Sequence, residues 1–140
     1  MNASTFQLPL RVLVVDDNHD AAEMLSTLAG LSGATVMSAH SGAAALELAD
    51  SFRPHLVLLD LDMPEMTGYD VIKALRKIAS LNNPVVVAVT GWNDQWTISK
   101  TRSHGFDKHL CKPAEQDDIF DMVLFALARV QNSRQMVATG

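Results

Sequence analysis

Six residues of this 140-residue chain could carry chemistry together: the adjacent acids Asp16 and Asp17, Asp60 with Asp62 two positions on, Thr90, and Lys112. Three of them close apolar runs: VLVV before Asp16, LVLL before Asp60 and VVVAV before Thr90. A short apolar run bounded by turn residues reads as a buried strand that delivers its last side chain into a loop. Carboxylates gathered at one point repel one another unless a cation neutralises them. An all-oxygen donor set with room for water suits Mg2+ or Mn2+, whereas zinc prefers nitrogen and sulfur. Lys112 adds a compact positive charge and Thr90 a hydroxyl donor. The set then fits a tetrahedral dianion attached to Asp60, a carboxylate nucleophile that accepts a phosphoryl group.

The elements that must position these residues alternate along the chain. Residues 1–10 form an aperiodic lead-in, from which Phe6 and Leu8 could pack on the body. The first strand, 12–15, is followed by a helix capped at Asn18 or Asp20, with a stripe of Ala21, Met24, Leu25, Leu28 and Ala29 and closure at Gly33. A second strand spans 35–39, and Ser41 caps a second helix that carries Ala45, Leu46, Leu48, Ala49 and Phe52 as far as Pro54. The third strand ends at Asp60, a third helix covers 69–78, and Pro84 opens a fourth strand at 85–89. Residues 93–104 make a helix of poor propensity (Thr97, Ile98, Ser99, Thr101, Ser103), ended by Gly105. A fifth strand, 106–111, leads to Lys112 and Pro113, a last helix covers 117–130, and 131–140 reads as a frayed tail. Five strands alternating with five helices make one α/β domain with a parallel sheet and helices on both faces. The carboxyl ends of all its strands share one edge, and the six residues with them.

Composition narrows the class. With 48% hydrophobic and 19% charged residues, a chain of this length can bury a core of its own. No apolar stretch is long enough to cross a bilayer and no signal sequence opens the chain, so a cytoplasmic location without membrane contact is expected. The single Cys111 cannot form an internal disulfide, in keeping with a reducing compartment, and reads as a small buried apolar residue. A net charge of −5 argues against a nucleic-acid surface.

Asp16-Asp17, the LLDLDMPEMTG stretch, Val89-Thr90-Gly91 and Lys112-Pro113, in that order and at strand-sized spacing, resemble the receiver domain of two-component response regulators over residues 11–130. The resemblance implies a flavodoxin-like five-stranded sheet of order 2-1-3-4-5, an order for which this family is itself a standard instance, with the ligand crevice between the first and third strands. It also implies roles. Asp60 is the phosphoacceptor; Asp17, Asp60 and the backbone carbonyl of Asp62 ligate Mg2+, while Asp16 orients or ligates through water. Thr90 hydrogen-bonds the phosphoryl group and shifts toward it on activation, and Lys112 pairs with a phosphoryl oxygen. His109 stands where the family usually has a rotating Tyr or Phe, a departure in the switch. The implied donor is a histidine kinase or histidine phosphotransfer protein and the implied target a downstream protein, without enzymatic turnover of a substrate. The alternative is the receiver module of a hybrid histidine kinase, which GFDKHLCKP resembles as much.

Taken singly, the same residues have plainer readings. Asp16-Asp17 could be a helix cap and a solvated neighbour, Thr90 a strand-end hydroxyl and Lys112 a surface charge; their coincidence decides against this. His19, His40, His55 and His104 lack metal spacing and read as surface or loop residues. Trp92, two past Thr90, stands with Asp62 at the mouth of the site, where an indole could hinder an attacking water; otherwise it packs the fourth helix with Trp96. The last helix is apolar around nearly its whole circumference (Ile119, Phe120, Met122, Val123, Leu124, Phe125, Leu127, Val130). A docking face or homodimer contact of fourth helix, fifth strand and last helix is therefore expected. The rival from the enzyme class is an Asp-x-Asp metal-dependent phosphatase built on Asp60 and Asp62, but that motif normally ends a first strand and needs a cap or longer core.

Overall fold

A computed structural model of the chain describes residues 9–139; the expected packing of Phe6 and Leu8 lies outside them. The elements run β1 (Arg11–Val15), α1 (His19–Leu31), β2 (Thr35–Ala39), α2 (Gly42–Phe52), β3 (Leu56–Asp60), α3 (Gly68–Leu75), β4 (Val85–Thr90), α4 (Gln95–Ser103), β5 (Lys108–Cys111) and α5 (Gln116–Thr139). The strands are all parallel, in the order β2-β1-β3-β4-β5. Val12 lies beside Val36 on one side and Leu56 on the other, and Leu56 beside Val85.

Alternation along the strands divides the core in two. Val12, Val14, Leu56, Leu58, Val85 and Val87 meet Ala22, Leu25 and Ala29 of α1 and Ile119, Val123 and Ala126 of α5. Leu13, Val15, Val57, Leu59, Val86 and Ala88 meet Ala45 and Ala49 of α2 and Val71, Ile72 and Leu75 of α3. β3 and β4 are buried along their whole length, as a sheet covered on both faces requires. Side-chain caps fix where the helices begin: Asn18 accepts from the amide of Ala21, Ser41 from that of Ala44, and Thr67 with Asp70 forms a capping box. Gly33 and Gly105, both at positive φ, follow the ends of α1 and α4.

Several expectations are corrected. Met24 is exposed, and Ala22 takes its place on the buried stripe of α1. α5 continues through the residues read as a frayed tail, because 131–139 contain neither Gly nor Pro. Cys111 is exposed, since β5 is an edge strand. Trp92 and Trp96 are exposed and do not pack α4, whose buried residues are Thr97 and Thr101. Among the described residues no helix is long and apolar enough to cross a membrane.

Candidate functional site

The sheet register brings the six residues together. Val15 pairs with Leu59, so Asp16 and Asp60 leave neighbouring strands at the same level. Asp60 pairs with Val89 and Thr90 with Cys111, so Thr90 and Lys112 each stand one step further along the edge. Nζ of Lys112 lies 2.9 Å from Oδ2 of Asp16 and 3.5 Å from Oδ1 of Asp60. Its amide donates to the carbonyl of Thr90 at 2.7 Å, and the Lys112-Pro113 peptide is cis. Oδ1 of Asp16 accepts from the amide of Asn18, and its carbonyl lies 3.1 Å from Nδ1 of His40, whose ring stacks on His19. The loop after β3 is held close: a Cβ on Gly68 would stand 2.7 Å from the carbonyl oxygen of Asp60.

Charge is unbalanced here. Asp16 is fully buried, Asp60 is 4% exposed and Asp17 faces solvent. One carboxylate oxygen from each lies within 4.8 Å of the others. Burial pushes the Asp60 carboxyl up to about 6; the Asp62 amide, which donates to Oδ1 at 3.1 Å, pulls it down, Asp16 pushes it up and Lys112 pulls it down. For Lys112 burial acts downward, but the hydrogen bond to Asp16 and the charges of Asp60 and Asp16 carry its pKa above the usual lysine value. Three carboxylates against one ammonium leave two negative charges uncompensated. An oxygen-only set with one solvent-facing member fits a hard divalent cation that keeps some of its water.

A chain of hydrogen bonds leads away from the acids. The amide of Asp62 reaches Asp60; Thr90 Oγ1 donates to Asp62 Oδ2 at 3.3 Å and accepts from the amide of Trp92 at 3.2 Å. The carbonyl of Trp92 accepts from Nε2 of His109 at 3.0 Å. Asp62, Thr90, Trp92, Tyr69 and Lys100 line an open cavity of about 470 Å³ beside the acids, and Lys100 lies over the Tyr69 and Trp96 rings. His109 thus meets Trp92, not the acidic cluster. The side chain of Asp62 as partner of Thr90, and His40 beneath Asp16, were not legible in the sequence. His55, in the loop before β3, is half-buried and accepts from the amide of Arg11.

A parallel sheet of this order, with acids at the carboxyl ends of β1 and β3 and a lysine after β5, defines a phosphoacceptor module. The family model described as the response regulator receiver domain matches residues 12–124, and the chain belongs to that family. Among its relatives, the cell cycle transcriptional regulator CtrA of Caulobacter vibrioides is 28% identical over 128 residues, covering 91% of this chain but 54% of the relative, so the chain spans about half of it. Sporulation initiation phosphotransferase F of Bacillus subtilis is 30% identical over 113 residues, covering 81% of this chain and 90% of that protein. The structure of the chemotaxis protein CheY4 of Vibrio cholerae superposes with a TM-score of 0.79 at 24% identity, over 85% of this chain and 99% of that one, which speaks to the fold. Receiver domains are phosphoacceptors of two-component signalling and not classical enzymes, which sets the Asp-x-Asp phosphatase aside.

Proposed function

We propose that Asp60 accepts a phosphoryl group from the phosphohistidine of a histidine kinase or phosphotransfer protein, and that residues 11–130 are the unit that does so. The P–N bond of the donor breaks as a P–O bond to the Asp60 carboxylate forms, and the imidazole leaves with the electron pair. Asp17, Asp60 and the Asp62 carbonyl would hold Mg2+ or Mn2+, with Asp16 acting through water; the bound ion supplies charge neutralisation on the transferring oxygens. Lys112, anchored by Asp16, offers its ammonium to a phosphoryl oxygen. The donor hydroxyl of Thr90 turns from Asp62 to the phosphoryl group. That movement loosens the Trp92 amide and, through the Trp92 carbonyl, His109.

The output follows from what α4 lacks. With buried threonines in place of large apolar anchors, it is easily repositioned, so a small pull at Thr90 can shift its population. The surface it shares with β5 and α5 carries exposed Trp92, whose carbonyl meets His109, exposed Trp96, and Phe125 under Lys108, suited to a downstream protein or a second copy of the chain. A cytoplasmic location accords with a kinase donor. Trp92, at the mouth of the cavity, would slow the approach of water to the phosphorylated Asp60.

The observation that carries this reading is the Lys112 ammonium set between the buried Asp16 and Asp60 carboxylates. Incubation with a small-molecule phosphoryl donor and Mg2+ should load one phosphoryl group per chain, and Asp60→Asn should load none. Pull-down in the two states then reads the face. Loading of the Asp60→Asn chain to the same level would end the proposal.

A further inference from the structure

The edge of the sheet opposite the acids is as basic as the crevice is acidic. β1 and β3 begin there, α2 ends there, and α5 passes across. A cleft of about 280 Å³ at that edge is lined by Arg11, Arg53, His55, Arg129, Ser133 and Arg134, among other residues, none of them acidic. It gathers four of the 11 lysines and arginines of a chain whose net charge is −5.

Not all four are committed to holding the fold. Arg129 is a tie, bonded to Asp107 at 2.7 Å and to the carbonyl of Pro84. Arg11 is half a tie: its Nε–H donates to the carbonyls of Phe52 and Arg53 at 2.9 Å each, which fixes the plane of the guanidinium. Among the described residues, its terminal nitrogens have no partner within the protein, and the side chains of Arg53 and Arg134 have neither an ion pair nor a hydrogen bond. The carboxylates that touch the lining are already engaged, Asp107 by Arg76 and Arg129, and Asp50 by the hydroxyl of Ser80. His55 accepts from the Arg11 amide through Nδ1, so its proton sits on Nε2; burial, Arg11 and Arg134 all keep it neutral. Arg53 moreover occupies the left-handed cap of α2, at φ 53, where glycine or asparagine is usual. Ser133 and Arg134 come from the part of α5 beyond Val130.

Uncompensated guanidinium groups around a small volume suit a compact group with several negative charges, and their forked N–H donors match pairs of phosphate oxygens. The volume is at the lower end for small-molecule sites, and no aromatic ring other than His55 lines the cleft to stack a base. We propose that this cleft binds a diphosphate group, either as free pyrophosphate or as the end of a nucleotide. The proposal goes beyond the role of Asp60 and does not rest on it.

The test is calorimetric titration of the full chain in metal-free buffer with pyrophosphate, ADP and adenosine, with amide NMR shifts to locate the site. Pyrophosphate and ADP should bind alike and adenosine not at all; binding by ADP alone would overturn the assignment to the diphosphate. Shifts should centre on residues 11, 53–55 and 133–134. The double variant Arg53→Gln/Arg134→Gln should bind about tenfold more weakly, and Lys73→Gln, exposed on α3, as the parent does. Should the double variant fail to fold, Arg53→Gly relieves the left-handed cap and should still weaken binding about threefold. Absence of pyrophosphate binding, unchanged affinity in the arginine variants, or shifts centred on residues 16, 60 and 112 would each overturn the proposal. So would displacement of pyrophosphate by a mixed-sequence oligonucleotide at lower phosphate concentration, which would assign the cleft to nucleic acid.

Discussion

Lys112 stands closer to Asp16 than to Asp60: its ammonium donates to Asp16 Oδ2 at 2.9 Å and lies 3.5 Å from Asp60 Oδ1. Asp16 thereby holds the lysine and leaves Asp60 the longer of its two ion pairs. Replacing Lys112 by Met leaves two buried carboxylates facing each other without a cation. The metal-free chain should lose about 1–2 kcal/mol, less than a fully buried pair because the lysine is a third exposed. Denaturant unfolding checks this, and addition of Mg2+ should recover most of the loss while phosphoryl loading stays at least about tenfold slower.

The Asp60 carboxyl titrates at about 6 in the metal-free protein, against 3.8 for an ordinary aspartate. A raised folded-state pKa means that the folded chain keeps a proton the unfolded chain gives up. Stability should therefore fall as pH rises from about 4 through about 6 and remain lower above that. Roughly two pH units correspond to a ceiling of about 3 kcal/mol. Because a cation binds the ionised carboxylate, Mg2+ should raise the melting temperature by on the order of 5 °C near neutral pH and by much less near pH 5. Asp60→Asn should abolish the slope, and an equal Mg2+ effect at both pH values would refute the argument.

Gly68 and Gly91 flank the site on different terms. A methyl group on Gly68 would meet the carbonyl oxygen of Asp60 at 2.7 Å and Cα of Leu61 at 2.9 Å, backbone atoms that cannot swing aside, whereas nothing lies within 4 Å of one on Gly91. Gly68→Ala should cost about 1–3 kcal/mol and impair loading of Asp60, because the backbone of Asp60 itself must move. Gly91→Ala should stay within about 0.5 kcal/mol of the parent. Thermal unfolding and loading rates measured on the pair separate the two.

What the sequence disclosed was the strand ends. Apolar runs closed by Asp16, Asp60 and Thr90 carry both their secondary structure and their edge of the sheet on their face, and alternation with helices does the rest. Side-chain partnerships were illegible because nothing local encodes them. Asp107 bonds Arg76 of the α3 cap, 31 residues before it, and Arg129 of α5, 22 residues after it. On α1 two apolar sets are equally periodic, Met24 with Ala21 and Leu28, and Ala22 with Leu25 and Ala29, and only packing against the sheet selects the second. No stop signal precedes Gly140 to set the length of α5, and the added residues 131–139 supply Arg134 to the basic cleft.

Thr90 has one hydroxyl proton, which it gives to Asp62 at 3.3 Å, a long bond that a phosphoryl oxygen on Asp60 can outbid. Removing the competitor and removing the donor should then have opposite consequences. Asp62→Ala keeps the backbone carbonyl and frees the hydroxyl, so the α4 amide resonances should move part of the way toward their phosphorylated positions before any phosphate is added. Thr90→Val should still load Asp60, though slowly, and leave those resonances where they were. Trp92→Ala should do neither: the backbone groups of residue 92 that bond Thr90 and His109 survive the substitution, and only the exposed indole is lost. Its effect should fall on the lifetime of the phosphorylated state, shortened several-fold as water gains the cavity, with the α4 response intact. An unchanged lifetime would leave the indole free for the docking face alone.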